Sequence, residues 1–192
     1  MTGARKAVFL DRDGTLIDLV PYLHEPAEVR LIPGVAAGLR RLREAGYARV
    51  LVTNQSGVAR GYYGLEDIER VHARLLELLR AEGAGLEAIE ICPHHPEHGS
   101  PCDCRKPASG MLARASARLE IDPGLSWVIG DRWEDLAAGR PLGCRGILDM
   151  TGYGREQLAS GQADGLLKES EIAEDLAAAV DRILEREADA TR

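Results

Sequence analysis

Two aspartates flank an arginine in the run FLDRDGT at residues 9–15, directly after an apolar segment. Like charges so close together repel, and burying them is costly unless a cation sits among them; hard carboxylate oxygens suit magnesium. A second acidic pair, Asp131 and Asp135 in VIGDRWED, also follows an apolar run. A carboxylate can attack phosphorus while a neighbouring carboxylate carries the proton of the leaving oxygen, a division of labour open to Asp11 and Asp13. Hydrolysis of a phosphate monoester needs acceleration of up to roughly 10²¹-fold. Most of that must come from positioning and from positive charge or donors around the phosphoryl group. The chain offers Mg²⁺ bound through Asp11 and Asp131, the Thr53 hydroxyl and the Lys106 ammonium. Each has a plainer reading: Asp-Gly is a common turn, and a lone lysine is usually a solvated charge. Their shared position after apolar runs favours the chemical one.

A separate group of ligand types lies in CPHHPEHGSPCDCRKP at 92–107. Cys92, His94, Cys102 and Cys104 make a set suited to a closed tetrahedral zinc site, with His95 or His98 as alternatives to His94. A zinc with four protein ligands has no place for water, so its role is structural: pinning the loop that carries Arg105 and Lys106. Pro93, Pro96 and Pro101 leave this stretch little backbone pairing of its own. Cys144 stands apart and is expected to fill core space in the last strand.

Short apolar runs at 6–10, 48–53, 87–92, 126–130 and 144–148 read as buried parallel strands. Four end in the residues above: Asp11 and Asp13; Thr53 and Asn54; Cys92 and its loop; Asp131 and Asp135. Between the first two runs, Val35, Leu39 and Leu42 have helical spacing, with Pro33 before and Gly46 after. Leu65, Ile68, Val71, Leu75 and Leu79 line one face of a helix over 65–82, with Glu66 and Asp67 in its first turn and Gly83 beyond its end. Further helices are expected over 109–119 and from Ser170 onward, the last carrying Ile172, Leu176, Val180 and Ile183. The alternation predicts a doubly wound α/β fold, mainly parallel with helices on both faces, as one domain over 1–192. The spacings from Asp13 to Thr53 and from Gly57 to Cys92 leave no room for a large cap domain. Short loops must cover the site instead: 18–25 with Asp18, Tyr22 and His24, the SGVARGYY turn at 56–63, and the zinc loop.

With these residues in place, the chain resembles the haloacid dehalogenase superfamily of phosphohydrolases. FLDRDGT, VTNQSG, CRKP and VIGDRWED match its four motifs. The resemblance implies that Asp11 is the nucleophile, Asp13 the acid and base, and Thr53 and Lys106 the phosphoryl stabilisers. It places Mg²⁺ on the Asp11 carboxylate, the Asp13 carbonyl and Asp131, with Asp135 in support. A capless chain with a zinc loop ending in CDCRKP is similar to the D,D-heptose 1,7-bisphosphate phosphatases and the related histidinol-phosphate phosphatases. TNQSGVARG and CPHHP resemble the heptose branch. For that branch Arg105 would hold the second, non-reacting phosphate, with Arg60 and Arg132 as further candidates, and Arg12, Tyr22, Asn54, Gln55 and Ser56 would complete the substrate contacts.

The 192-residue chain has a formal net charge of -7, with 45% hydrophobic and 29% charged residues. That balance argues against nucleic acid or an anionic membrane as partner, and leaves a small-molecule sugar bisphosphate. The N-terminal apolar run is too short for a signal peptide or a span, so the cytoplasm is expected, with a monomer as the default assembly. A phosphoryl-receiver module and a zinc-stabilised binding protein are the alternatives from other classes. The D-x-D at the first strand speaks against a receiver, and the four motifs speak against a binding protein.

Overall fold

The computed structural model describes residues 4–99, 101–161, 165 and 172–190. Six parallel strands form one sheet: β1 (Ala7–Leu10), β2 (Ala48–Asn54), β3 (Ala88–Cys92), β4 (Trp127–Gly130), β5 (Arg145–Asp149) and β6 (Ile172–Ala173), in the order β3-β2-β1-β4-β5-β6. The chain winds outward from β1 to β3, then returns to the other side of β1 and winds outward again. The order therefore reverses between β1 and β4, and the crevice beyond their carboxyl ends is where such sheets bind ligands. Phe9 pairs with Val50 of β2 and Val128 of β4. Asp11 N donates to Ile129 O at 3.0 Å, extending the ladder into the first motif.

The central strand alternates between two cores. Val8 and Leu10 face a cluster built with Leu39 and Leu42 of α1 (Val35–Glu44), Leu75 and Leu79 of α2 (Leu65–Ala81), and Val180 and Ile183 of α6 (Leu176–Ala190). Ala7 and Phe9 face the opposite cluster, with Met111 and Leu112 of α3 (Gly110–Leu119), Ala138 of α4 (Trp133–Gly139), and Cys92. Burying both faces removes water from a strand of four apolar residues, each worth roughly 1.5–3 kcal/mol if large. That anchoring holds two acids at the end of β1. α2 opens as its sequence predicts, with Asp67 Oδ2 accepting from Gly64 N at 2.7 Å.

Two expectations change. Ile172 lies in β6 beside Leu148, not in the last helix, which begins at Leu176 and is capped by Asp175 Oδ1 accepting from Ala178 N. Ser170, the expected start, lies outside the described residues. α4 and α5 (Gly154–Ala159) are too short to show helical spacing in the sequence. Cys144 stands one residue before β5, half-buried against the second core cluster. No large cap separates β1 from α1 or β2 from α2; the first connection holds only a 3-10 turn at Pro26–Glu28.

Candidate active site

Lys106 is the hub. Its Nζ donates to Asp11 Oδ1 at 2.6 Å and to Val52 O at 2.7 Å, and pairs with Asp135 Oδ1 at 2.6 Å. Three acceptors satisfy the three protons of an ammonium. Burial alone would lower the lysine's pKa, but Asp11 and Asp135 overcome it and hold it above its usual value. The hub is carried by a backbone clip: Asn54 Nδ2 donates to Lys106 O and Lys106 N donates to Asn54 Oδ1, both at 3.1 Å. Asn54 thus fixes the lysine's main chain.

Asp135 closes the first turn of α4, its Oδ2 accepting from Arg132 N at 3.0 Å. Burial pushes its carboxyl up to about 6 despite Lys106. Asp131 is 1% exposed. Its Oδ2 accepts from Tyr153 N at 2.7 Å, while its Oδ1 is buried without a partner. Burial, then the charges of Asp11 and Asp135, push Asp131 up to about 8. One oxygen each of Asp11, Asp131 and Asp135 lie within 4.8 Å of one another. An orphaned buried carboxylate oxygen among like charges is the environment a hard divalent cation relieves, so the donor set fits Mg²⁺. Asp131 is seated between Gly14 and Gly152, both at positive φ (89° and 49°), and a Cβ on either would overlap its Oδ2. Thr151 Oγ1 donates to Gly14 O, tying the loop after β5 to the first motif.

Asp13 is bridged by Arg12, whose Nε donates to Oδ2 and Nη2 to Oδ1, both at 3.0 Å, and by Gln55 Nε2 donating to Oδ2 at 3.1 Å. Gln55 Nε2 also donates to Thr53 Oγ1 at 2.8 Å, and Tyr63 OH donates to Gln55 Oε1 at 3.2 Å. Burial raises the Asp13 carboxyl and Arg12 opposes it, with a net shift upward.

These groups open on a cleft of about 340 Å³ that reaches Asp11, Asp13, Thr53, Lys106 and Asp135. Arg105 and Arg132 stand on its wall, together with Tyr22, Ser56, Asn54 and Gln55. Arg132 stacks over the Tyr153 ring, 4.1 Å from its centroid. Tyr63, Glu134 and Tyr153 also line the cleft without having been named as contacts; Tyr63 lies in the expected SGVARGYY turn and Glu134 inside the acidic motif, and Tyr153 carried no signal. Two predicted contacts are committed to protein partners. Arg12 borders the cleft but is 1% exposed, with Nε and Nη2 on Asp13 and Nη1 on His72. Arg60 is outside the cleft lining, its guanidinium on His95 Nε2 at 2.9 Å and His98 Nε2 at 3.2 Å.

With His95 and His98 turned to Arg60, His94 joins the thiols. Cys92 Sγ lies 3.7 Å from Cys102 Sγ and 3.8 Å from His94 Nδ1; Cys104 Sγ lies 3.2 Å from His94 Nδ1 and 2.9 Å from Cys92 Sγ. A tetrahedron of zinc–sulfur bonds of about 2.3 Å has edges of roughly 3.8 Å, so the separations from Cys92 to Cys102 and to His94 match and the two at Cys104 need opening by roughly 0.5–1 Å. Burial pushes the Cys92 and Cys104 thiols up, so deprotonating them together calls for a cation. Arg105 Nη1 donates to His94 O at 3.2 Å, joining this loop to the cleft wall.

The sheet, the switch-point crevice and the acid–lysine cluster define a haloacid dehalogenase-like hydrolase, and a HAD-hydrolase-like family model matches residues 103–179. The chain is 44% identical over 188 residues to the D-glycero-D-manno-heptose-1,7-bisphosphate 7-phosphatase of Thermosynechococcus vestitus, covering 93% of this chain and 95% of the relative. It is 39% identical over 183 residues to the D-glycero-beta-D-manno-heptose-1,7-bisphosphate 7-phosphatase of Pseudomonas aeruginosa, covering 95% and 99%. A crystal structure of D,D-heptose 1,7-bisphosphate phosphatase from B. bronchiseptica, complexed with magnesium and phosphate, superposes with a TM-score of 0.84 at 36% identity, covering 94% of this chain and 99% of that one. The chain belongs to the D-glycero-D-manno-heptose 1,7-bisphosphate 7-phosphatase family.

Proposed function

We propose that the chain removes the C7 phosphate of D-glycero-D-manno-heptose 1,7-bisphosphate, as a single catalytic domain acting through an aspartyl phosphate. The observation that carries the reading is the pairing of Arg105 and Arg132 on the wall of a cleft that already holds Lys106 and two candidate proton and phosphoryl carriers. A substrate with one phosphate needs the floor of this cleft; a bisphosphate also uses the wall.

Lys106 holds Asp11 Oδ1, which leaves Oδ2 to attack phosphorus. The Asp11–phosphorus bond forms as the bond from phosphorus to the sugar oxygen breaks, and Asp13 gives that oxygen its proton. Asp13 then takes a proton from water, which attacks the aspartyl phosphate and frees inorganic phosphate. Thr53 donates to the transferring phosphoryl oxygens, and the Lys106 ammonium, held beside Asp11, supplies positive charge against them. Asp11, the Asp13 carbonyl and Asp131, with Asp135 in support, would hold Mg²⁺, which would supply positive charge against those oxygens. Zn²⁺ on Cys92, His94, Cys102 and Cys104 is structural and sets the reach of Arg105. All four cysteines are free, as a reducing compartment keeps them, and no helix among the described residues is long and apolar enough to cross a membrane. We read the chain as a cytoplasmic monomer acting on a small molecule.

The test is phosphate release with Mg²⁺ from the α and β anomers of heptose 1,7-bisphosphate and from histidinol phosphate. A large kcat/KM advantage for one bisphosphate is expected. Preference for histidinol phosphate would keep the chemistry and overturn the substrate.

A further inference from the structure

His72 lies on α2, outside all four motifs, one turn from Ile68 and from Leu75 on the buried face. Its side chain is 5% exposed, and a histidine in an apolar interface has to place its ring nitrogens. Nε2 sits 3.2 Å from Arg12 Nη1. A guanidinium has only donors, so Nε2 is the acceptor and the imidazole is neutral, with its proton on Nδ1. Burial, then the Arg12 charge, push the ring down to about 3, which keeps it neutral. Arg12 is itself among the largest fully buried side chains. Its fork has one productive use, the two 3.0 Å bonds to the Asp13 oxygens, and Nη1 is the one nitrogen left over.

We propose that His72 is a positioning residue for the Asp13 carboxylate: by accepting from Arg12 Nη1 it fixes the plane of the guanidinium that bridges both Asp13 oxygens. This rests on the reading of Asp13 as acid and base given above. Without the imidazole, Nη1 is a buried donor with no acceptor, and the fork must tilt to find one. The Asp13 carboxylate, gripped at both oxygens, turns with it and is displaced from the leaving oxygen. His72 is outside the cleft lining, and Arg12 keeps Nε and Nη2 on Asp13, so ground-state binding of the phosphates should change little.

The experiment compares His72→Leu, His72→Met, His72→Gln, His72→Asn and Asp13→Asn in the full chain with Mg²⁺ and Zn²⁺. Two substrates are used: heptose 1,7-bisphosphate, whose alkoxide needs a proton, and 2,4-dinitrophenyl phosphate, whose leaving group does not. Leaving-group release is followed in a single turnover. His72→Leu should lower kcat and single-turnover release from the bisphosphate by about 10- to 100-fold, the cost of a misplaced group at the reacting centre, with KM within about twofold. Release of dinitrophenol should fall by less than about threefold, following Asp13→Asn in pattern. His72→Gln, whose Oε1 can accept from Nη1, should recover most of the loss, while the shorter His72→Asn should not. If the apolar variants fail to fold, the Gln and Asn pair asks the same question of reach. Equal losses on both substrates, or no loss where Asp13→Asn is impaired, would overturn the role of His72 and leave Asp13's intact. Full activity of Asp13→Asn on the bisphosphate would instead overturn the reading on which it rests.

Discussion

Among the described residues, the acidic cluster and the thiol cluster are both fit for a cation, and they are built by opposite means. The acidic one gathers Asp11 and Asp131 from the ends of β1 and β4, strands buried on both faces and far apart in sequence, and Asp135 from the first turn of α4. The thiol one gathers four residues between 92 and 104, and beyond Cys92 at the end of β3 it has no regular structure of its own to hold it. In the first, the sheet sets the ligands and the unrelieved charge appears as carboxyls pushed up to about 8 and about 6. In the second, the ligands must set the loop. A cation held by a sheet is free to serve chemistry, and one held by a loop serves shape.

The widest gap between the two should open at Asp11. Asp11→Asn should lower kcat by about 10³-fold or more while the thermal midpoint stays within a few degrees, since the amide oxygen still accepts from Lys106. Retained turnover would remove the aspartyl phosphate. Metal removal reverses the pattern. Stripping zinc should release about one ion per chain and lower the midpoint by on the order of 10 °C, because structural zinc binding is folding free energy. Dialysis into magnesium-free buffer should abolish turnover reversibly with only a few degrees lost. An unchanged midpoint without zinc would erase the contrast. Arg105 lies where the clusters meet. Arg105→Ala should raise KM for the bisphosphate about 10- to 100-fold and for a monophosphate far less. Equal effects on both would deny the wall its second phosphate.

The smallest effect concerns Asp149, an acid at the end of β5 that belongs to neither cluster. Its Oδ1 accepts from Thr151 N and lies 2.7 Å from Thr151 Oγ1, its Oδ2 has no partner, and burial raises its carboxyl to about 6. The unfolded value is about 3.9, so the fold binds this proton more tightly than the unfolded chain does. Its favourable contribution is present below about pH 4 and is lost as pH rises through 6. Asp149→Asn should therefore match the parent in thermal midpoint near pH 4 and exceed it by a few degrees at pH 7. A difference that does not change with pH would show that the carboxyl ionises in the fold without penalty.

What the sequence discloses follows how each residue is held. Asp11, Asp13, Asp131 and Lys106 are legible because charge directly after an apolar run is costly and calls for a reason. β6 is hidden because Ile172 falls at helical spacing from Leu176, so two strand residues read as the first turn of α6. Arg12 and Arg60 look alike as cations near motifs. Only packing shows that one is buried against Asp13 and the other turned to His95 and His98. His72 is silent because a polar residue on an apolar helix face has no periodicity of its own. Tyr153 reaches the site only through the path of the loop after β5.

That loop also constrains which descendants this sequence can have. Gly14 and Gly152 lie back to back across the Asp131 carboxylate, where either methyl group would displace the same oxygen. A library of random replacements should find both positions closed, although they share no motif and lie far apart in sequence. The obstruction is the Asp131 carboxylate and the other glycine's backbone, so a change at Asp131 alone would not clear either position. The two glycines are therefore inherited as one character.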